Sequence, residues 1–373
     1  MNKTSIIILT LNAKLFTIKC IESIYKHTDQ SEFELIIVDN GSRDGTKNYL
    51  EEVKENHKNV QLIFNKDNRG FSAANNQGAR IATGKYLLFL NNDVTVAENW
   101  LTSLVASIEK DPQIGLVGPI TNYISGRQMV KRLPYRGDKF QEFANKIRIV
   151  NKGKLTPRNR LAGFAIIARK NEYFMVGGFD ETLGTGNYED DDLCIRYRNK
   201  GFSLMCDESV FIHHYGSRTF MENNIDYKQS LKETKEKFKQ KWPNIDYDKF
   251  MEKSEQLVDR NKKRCQMSLK YLRDDKLNDA KNLLYSVLLT NPIDQMALLI
   301  LSIVYRASGK TAHALECVKK ILRLDPQNGG AYHQMAMIVQ AMGDEQKAAS
   351  LFTMADRRDP AYKEKYADIF QTG

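Results

Sequence analysis

Residues 87–94 read LLFLNNDV, an apolar run that stops on two amides, Asn91 and Asn92, and a carboxylate, Asp93. A lone carboxylate beside a nucleotide diphosphate suits a hard divalent cation, because Mg²⁺ takes one or two protein oxygens and completes its shell with phosphate oxygens. Candidate companions lie further along. Four consecutive acids, Glu189 to Asp192, open the amphipathic stretch YEDDDLCIRYRNKGF. Acids at a helix start answer the macrodipole, but that role rarely calls for four. Crowded anions raise one another's pKa, and one of them can become a general base for a substrate hydroxyl. His213 follows the apolar run SVFI and offers an imidazole to a metal, with His214 read as its solvent-facing neighbour.

Two further clusters could meet a nucleotide. The run IIVDNGSRDGT ends on Asp39, and open α/β sheets bind ligands in the crevice beyond such strand ends. The plainer reading is a turn at Asn40-Gly41 with Asp44 capping the next helix. Thr10 and Asn12 end the first apolar run at the same edge, within reach of a base or ribose. In NRGFSAANNQGARIATG, Gly70 permits a close backbone approach, and Ser72 to Ala74, followed by Asn75, let a helix start come near a ligand. The glycines stand in neither GxGxxG nor GxxxxGK spacing, which disfavours nicotinamide and P-loop chemistry.

These groups need elements to carry them. Up to about residue 220, aliphatic runs (SIIILT, ELIIVDN, VQLIFN, YLLFLNND) alternate with amphipathic stretches, a β-α-β-α-β-α-β order that implies a parallel α/β sheet. From about residue 265 the pattern turns helical and repeats. Pro292, Pro326 and Pro360 stand 34 residues apart, as do Asp275, Gly309 and Gly343, and Ala280, Ala314 and Ala348; Ala297 and Ala331 share the register. That period resembles a tetratricopeptide array, with Gly at the inter-helix turn and Ala where helices pack. Between the halves, SLKETKEKFKQKWPNIDYDKF predicts a charged helix ended at Trp242-Pro243. The expected organisation is an α/β domain at 1–225, a helical linker at 226–260 and a repeat domain at 261–373.

Composition bounds the rest. The 373 residues are 42% hydrophobic, enough for two domains with sizeable cores. Five cysteines without a CxxC pair suggest neither a disulfide framework nor a zinc cluster and fit a reducing cytoplasm. The N-terminal apolar stretch is too short for a signal peptide and reads as the first strand, and no run approaches the ~20 apolar residues of a membrane span. A net charge of +10 favours an anionic partner, but the basic residues are dispersed without an aromatic stacking motif, so a nucleic-acid reader is not expected.

In order, SIIILTLN, IIVDNGSRDGT, NRGFSAANNQGARIATGKYLLFLNNDV, GGFDE, YEDDDLCIRYRNKGF and IHHYGS resemble the family 2 glycosyltransferases of the GT-A fold over about residues 3–220. The resemblance implies a Rossmann-like nucleotide-sugar domain that transfers a sugar with inversion, assisted by Mn²⁺ or Mg²⁺. It implies that Asp39 holds the base, with Thr10 and Asn12 nearby. Asp93 would be the metal-binding last position of a DXD-type motif whose first position is Asn91 and whose variable middle is Asn92. Asp190 would be the catalytic base, with Asp191 its rival by a one-residue slip and Glu189 beside them. His213 would be a metal ligand, and Gly163 with Phe164 in AGFAIIARK would form the acceptor-side wall. The processive QxxRW motif is absent, so single additions are expected. The repeats suggest a polypeptide acceptor, such as Ser or Thr of flagellin, with a UDP-sugar such as UDP-GlcNAc as donor, and they offer a surface for homo-oligomers. One alternative is a rhamnosyl-type transferase of cell-surface polysaccharide, which the Asn-Asn-Asp variant favours; another is a scaffold that binds a nucleotide sugar without catalysis.

Overall fold

The computed structural model of the chain describes residues 3–124, 128–130, 139–183, 187–216, 227–245 and 254–370. Internal contacts divide the chain into two units, Met1–Ser254 and Glu255–Gly373.

The first unit begins with the alternation that the aliphatic runs predict. Strands β1 (Thr4–Thr10), β2 (Phe33–Asp39), β3 (Val60–Phe64) and β4 (Tyr86–Asn91) alternate with helices α1 (Lys14–His27), α2 (Thr46–Asn56) and α3 (Phe71–Ile81). These strands pair in parallel in the order β3-β2-β1-β4. All seven residues of β2 are buried, as expected of a strand covered on both faces. Gly78 lets α3 lie close on the sheet: a Cβ there would stand 2.6 Å from Cγ2 of Ile7.

Beyond β4 the sheet departs from the parallel expectation. After β5 (Val94–Thr95) and α4 (Trp100–Glu109) come β6 (Ile114–Thr121), α5 (Phe140–Val150), β7 (Leu155–Arg158) and β8 (Ala165–Arg169). Helices α6 (Lys170–Met175) and α7 (Glu189–Asn199) and strand β9 (Ser203–His214) follow. The full order is β3-β2-β1-β4-β8-β6-β9-β5, with β7 also on β9. Strand β8 inserts antiparallel between β4 and β6, so the sheet is mixed. A short return from β7 through residues 159–164 brings β8 back beside β4, a connection that an antiparallel neighbour permits and a parallel crossover does not. Helix α8 (Tyr227–Lys241) ends just before Trp242 and Pro243, where the proline stops it.

The consequence for chemistry is a shared edge. Register pairs Thr10 with Asp39, Asp39 with Phe64, and Leu9 with Asn91, so the carboxyl ends of β1, β2 and β4 lie side by side.

The described part of the second unit is helical: α9 (Ser254–Arg273), α10 (Leu277–Leu288), α11 (Gln295–Ala307), α12 (Thr311–Leu324), α13 (Gly329–Ala341) and α14 (Glu345–Arg358), then two short helices. Helices α10, α12 and α14 start 34 residues apart, as do α11 and α13. Asp294 and Asn328 cap α11 and α13 equivalently, accepting from the N–H of Ala297 at 3.0 Å and of Ala331 at 2.9 Å. Asp275, Gly309 and Gly343 turn the chain with φ of 55°, 69° and 89°, and Ala280, Ala314 and Ala348 are buried at the tight contacts. The periodic columns of the sequence are thus the periodic caps, turns and packing sites of the helices. Among the described residues, no helix is long and apolar enough to cross a membrane.

Candidate active site

At the end of β2, Asp39 is buried and fully engaged from one side. Its Oδ1 accepts from the hydroxyl of Thr10 at 3.0 Å and from that of Ser42, and its Oδ2 accepts from the Ser42 N–H at 3.0 Å. Asn12 joins this cluster through its N–H to Ser42 Oγ at 2.7 Å, while its Oδ1 accepts from the Arg43 N–H at 2.7 Å. The turn can close this tightly because Gly41 adopts φ 90° with the Lys66 carbonyl close by. A carboxylate has about four acceptor positions, so three donors hold Asp39 rigid and leave it able to take one more, such as a base N–H. Thr10, Asn12 and Asp39 are therefore together, and Ser42 is the member that the sequence did not single out. Gly70, with φ 81°, starts α3 with its N–H on Asn68 Oδ1 at 2.9 Å, and the Asn40 amide reaches Asn68 as well. Asn75 is buried and donates to the Phe71 carbonyl at 3.0 Å, within its own helix.

The three polar residues after β4 diverge. Asn91 donates its N–H to the Phe164 carbonyl at 2.9 Å. Asn92 turns away from the edge and donates to Thr17 of α1 at 3.0 Å, a packing role. Asp93 is 3% exposed, and its Oδ1 lies 3.1 Å from Nε2 of His214.

That last contact corrects the sequence reading of the two histidines. Antiparallel pairing of β5 with β9 sets Val94 opposite His214 and Thr95 opposite His213, and strand alternation sends the two rings to opposite faces. His214 is the buried one, at Asp93. His213 lies 5.9 Å from the Phe140 ring and 4.7 Å from that of Tyr215, among aromatics. Burial, and then the neighbouring His214, lower its pKa.

The His214 tautomer gives this pair its chemical meaning. Nδ1 lies 2.7 Å from the Tyr123 carbonyl, which only accepts, so Nδ1 carries a proton. Nε2 of the neutral ring then presents a lone pair to a buried carboxylate, an arrangement that needs a positive charge between them. Either a proton or a cation supplies it. Asp93 Oδ1 and His214 Nε2, 3.1 Å apart, are the two groups that would hold a divalent cation here, although among the described residues no group of three or more His, Cys, Asp or Glu is placed to bind one. Phe164 stacks on the His214 ring at 5.5 Å and 15°, fixing its plane.

The acidic turn stands on the other side of the same loop. Gly163 donates its N–H to Oδ2 of Asp190 at 2.9 Å, and the Asp191 N–H donates to Oδ1 of Asp190 at 2.9 Å. Arg160, which no short motif marks, bridges the acids: its Nε donates to Asp191 and its Nη2 lies 3.4 Å from Oδ2 of Asp190. Burial, then the charge of Asp190, pushes Asp191 up to about 7, and the same two causes push Glu189 up to about 8. Oε2 of Glu189 has no hydrogen-bond partner among the described residues. Asp192 points the other way, fully buried, with Arg196, Lys241 and Trp242 around it.

Residues 163 and 164 thus join the two halves: the Gly163 N–H holds Asp190, and the Phe164 ring and carbonyl hold His214 and Asn91. A carboxylate in reach of solvent on one side and a carboxylate–imidazole pair on the other can serve proton abstraction and the binding of a cation with its anionic ligand.

Parts of the chain are similar to known proteins. The chain is 32% identical over 114 residues to an uncharacterised glycosyltransferase of Haemophilus influenzae, covering 31% of this chain and 35% of that protein. It is 26% identical over 201 residues to Glycosyltransferase AglE of Haloferax volcanii, covering 54% and 62%. Each match spans less than two thirds of the relative's own length. A crystal structure of GalNAc-T7 with UDP, GalNAc and Mn²⁺ covers 57% of this chain and 44% of that one, at 20% identity and a TM-score of 0.47. Residues 5–173, which span the Thr10–Asn12–Asp39 cluster, Asp93 and the 163–164 loop, match the model of Glycosyl transferase family 2.

Proposed function

We propose that the protein is an inverting glycosyltransferase that moves a sugar from a nucleotide diphosphate donor to an acceptor hydroxyl. The observation that carries this reading is the 163–164 loop, which ties Asp190 to the Asp93–His214 pair. Asp93 and His214 would hold a divalent cation, and when bound that ion neutralises the departing diphosphate. Thr10, Asn12 and Asp39 receive the nucleoside, with Asp39 oriented before ligand arrives. Asp190 accepts the proton of the acceptor hydroxyl as that oxygen attacks the anomeric carbon from the face opposite the leaving group. Asp190 is preferred to Asp191 as base because its side chain is 11% exposed against 3%, and Asp191 is the more tightly held by Arg160. Gly163 and Phe164 line the acceptor side, and Glu189 sits beside it.

The donor we propose is a UDP-sugar such as UDP-GlcNAc. The 34-residue helical recurrence supports a tetratricopeptide-type surface that binds a protein acceptor such as flagellin and that also permits homo-oligomers. Catalysis would then precede export, in the cytoplasm. The rhamnosyl-type alternative rests on Asn91 in place of a second metal-binding acid.

Asp190→Asn tests the reading. It should abolish turnover while UDP affinity in the presence of Mn²⁺ stays within about twofold, since it removes a base and not a donor contact. Full activity in that variant excludes Asp190 as the base. Screening UDP-, GDP- and dTDP-sugars for hydrolysis identifies the donor, and mass spectrometry of co-expressed flagellin checks the acceptor; an unmodified flagellin beside activity on a polysaccharide acceptor selects the alternative.

A further inference from the structure

We propose that α8 is a working part of the transferase site, with Phe238, Lys241 and Trp242 as positioning residues that close on both ends of the acidic turn and fix Asp190; this rests on the glycosyltransferase reading above.

The turn is gripped at its start. Tyr188, which precedes α7, has φ 64°, a conformation that a bulky L-residue holds only when its surroundings impose it. Its ring lies 5.0 Å from that of Phe238, which is 2% exposed. The turn is gripped again at its end. Oδ1 of Asp192 accepts from Trp242 Nε1 at 2.9 Å and lies 2.7 Å from Lys241 Nζ, while its Oδ2 accepts from Arg196 Nε at 2.8 Å and lies 2.7 Å from Arg196 Nη2 in an ion pair. Glu189, Asp190 and Asp191 occupy the backbone between these two grips.

The chemistry of Asp192 makes the grip depend on α8. A fully buried carboxylate is stable only with its charge paired and its lone pairs satisfied. Half of that satisfaction comes from Lys241, the last residue of α8, and from Trp242 just after it, 50 positions along the chain from Asp192. Lys241 also pairs with Asp180, and Lys237 donates to the Thr182 carbonyl at 3.2 Å, so the GGFDE segment is held by the same helix. The other charged groups facing the turn are Arg160, from residues 159–164, and Arg196 on α7 itself. None of the contacts described for α8 reaches Asp190, so its influence passes through the position of the turn. Displacing a catalytic group by about 1 Å is enough to cost on the order of 10²-fold in rate.

The test uses the full chain with Trp242→Phe, which keeps an apolar aromatic ring and removes the donor, and Lys241→Met, which keeps the stem and removes the charge. Amide hydrogen exchange across residues 188–193 should rise about tenfold in each, because a hydrogen bond to a buried charge is lost. With UDP-GlcNAc and Mn²⁺, kcat for UDP release should fall about tenfold or more, with KM and UDP affinity within twofold. Lys241→Arg should restore both readouts, and Lys239→Ala, on the exposed side of α8, should leave both unchanged. Unchanged exchange in both variants, or raised exchange with unaltered kcat, overturns the proposal. A wild-type chain that releases no nucleotide from any UDP-, GDP- or dTDP-sugar overturns the enzymatic reading and the catalytic part with it; the exchange result then decides the clasp alone.

Discussion

Exchanging each adjacent histidine in turn separates metal binding from packing. In His214→Gln, the imidazole 3.1 Å from Asp93 is lost, and with it the nitrogen whose far side is pinned by the Tyr123 carbonyl. Removing even an outer-shell partner of a metal site lowers affinity about 10–100-fold, so loss of a direct ligand should cost at least that, or about 1.4–2.7 kcal/mol. His213→Gln removes edge-to-face contacts with Phe140 and Tyr215, each worth about 0.5–1.5 kcal/mol to stability, and leaves Asp93 and His214 in place. Titration of UDP with and without Mn²⁺, beside thermal melts, reads both effects. His214→Gln should lose most of the Mn²⁺-dependent gain in UDP affinity, whereas His213→Gln should keep it and melt several degrees lower. If His213→Gln abolishes the Mn²⁺ effect and His214→Gln does not, the alternation argument is refuted.

Other consequences concern the frame around the site. Glu34 is buried, and burial alone would raise its pKa, but hydrogen bonds from Ser5, Thr83 and Gly84 outweigh this and hold it below the ordinary carboxylate range. Its stabilising contribution is therefore complete above the unfolded-state pKa and vanishes as pH falls through the folded value; Glu34→Gln should melt lower than wild type by about 1.5–3 kcal/mol at pH 7, with the gap shrinking in acid. Gly78→Ala should destabilise the first unit by about 1–3 kcal/mol in urea melts, because the new methyl meets Ile7 at 2.6 Å. Asp275→Gly should stabilise the second unit by about 0.5–1 kcal/mol, since Asp275 holds the left-handed turn that Gly309 and Gly343 make without strain.

The sequence carried the parallel half of the sheet because each strand was an unbroken aliphatic run and each helix had its own period. It carried the shared strand edge too, since Thr10, Asp39 and Asn91 each mark the point where such a run stops. What it hid was orientation. Whether His213 or His214 faces Asp93 depends on the parity of β9, and register shifts on pairing with β6 make that parity impossible to count from residue spacing. Asn92 read as the variable middle of a motif, and its partner Thr17 on α1 could not be seen from the spacing. Arg160 and Trp242 lie outside any motif, and their roles depend on contacts across 31 and 50 residues that the chain order does not announce. Insertion of β8 against β4 likewise reflects a pairing choice, since its residues suit either strand direction.

The equal spacing of helix starts in the second unit has an engineering corollary. Because Gly309 and Gly343 sit in open turns and every α10–α12–α14 helix begins one pitch after the last, a whole pitch can be duplicated or excised at these turns without recutting an interface. The length of this part of the molecule is therefore an adjustable dimension, and its reach can change by whole steps while the first unit keeps its own sequence.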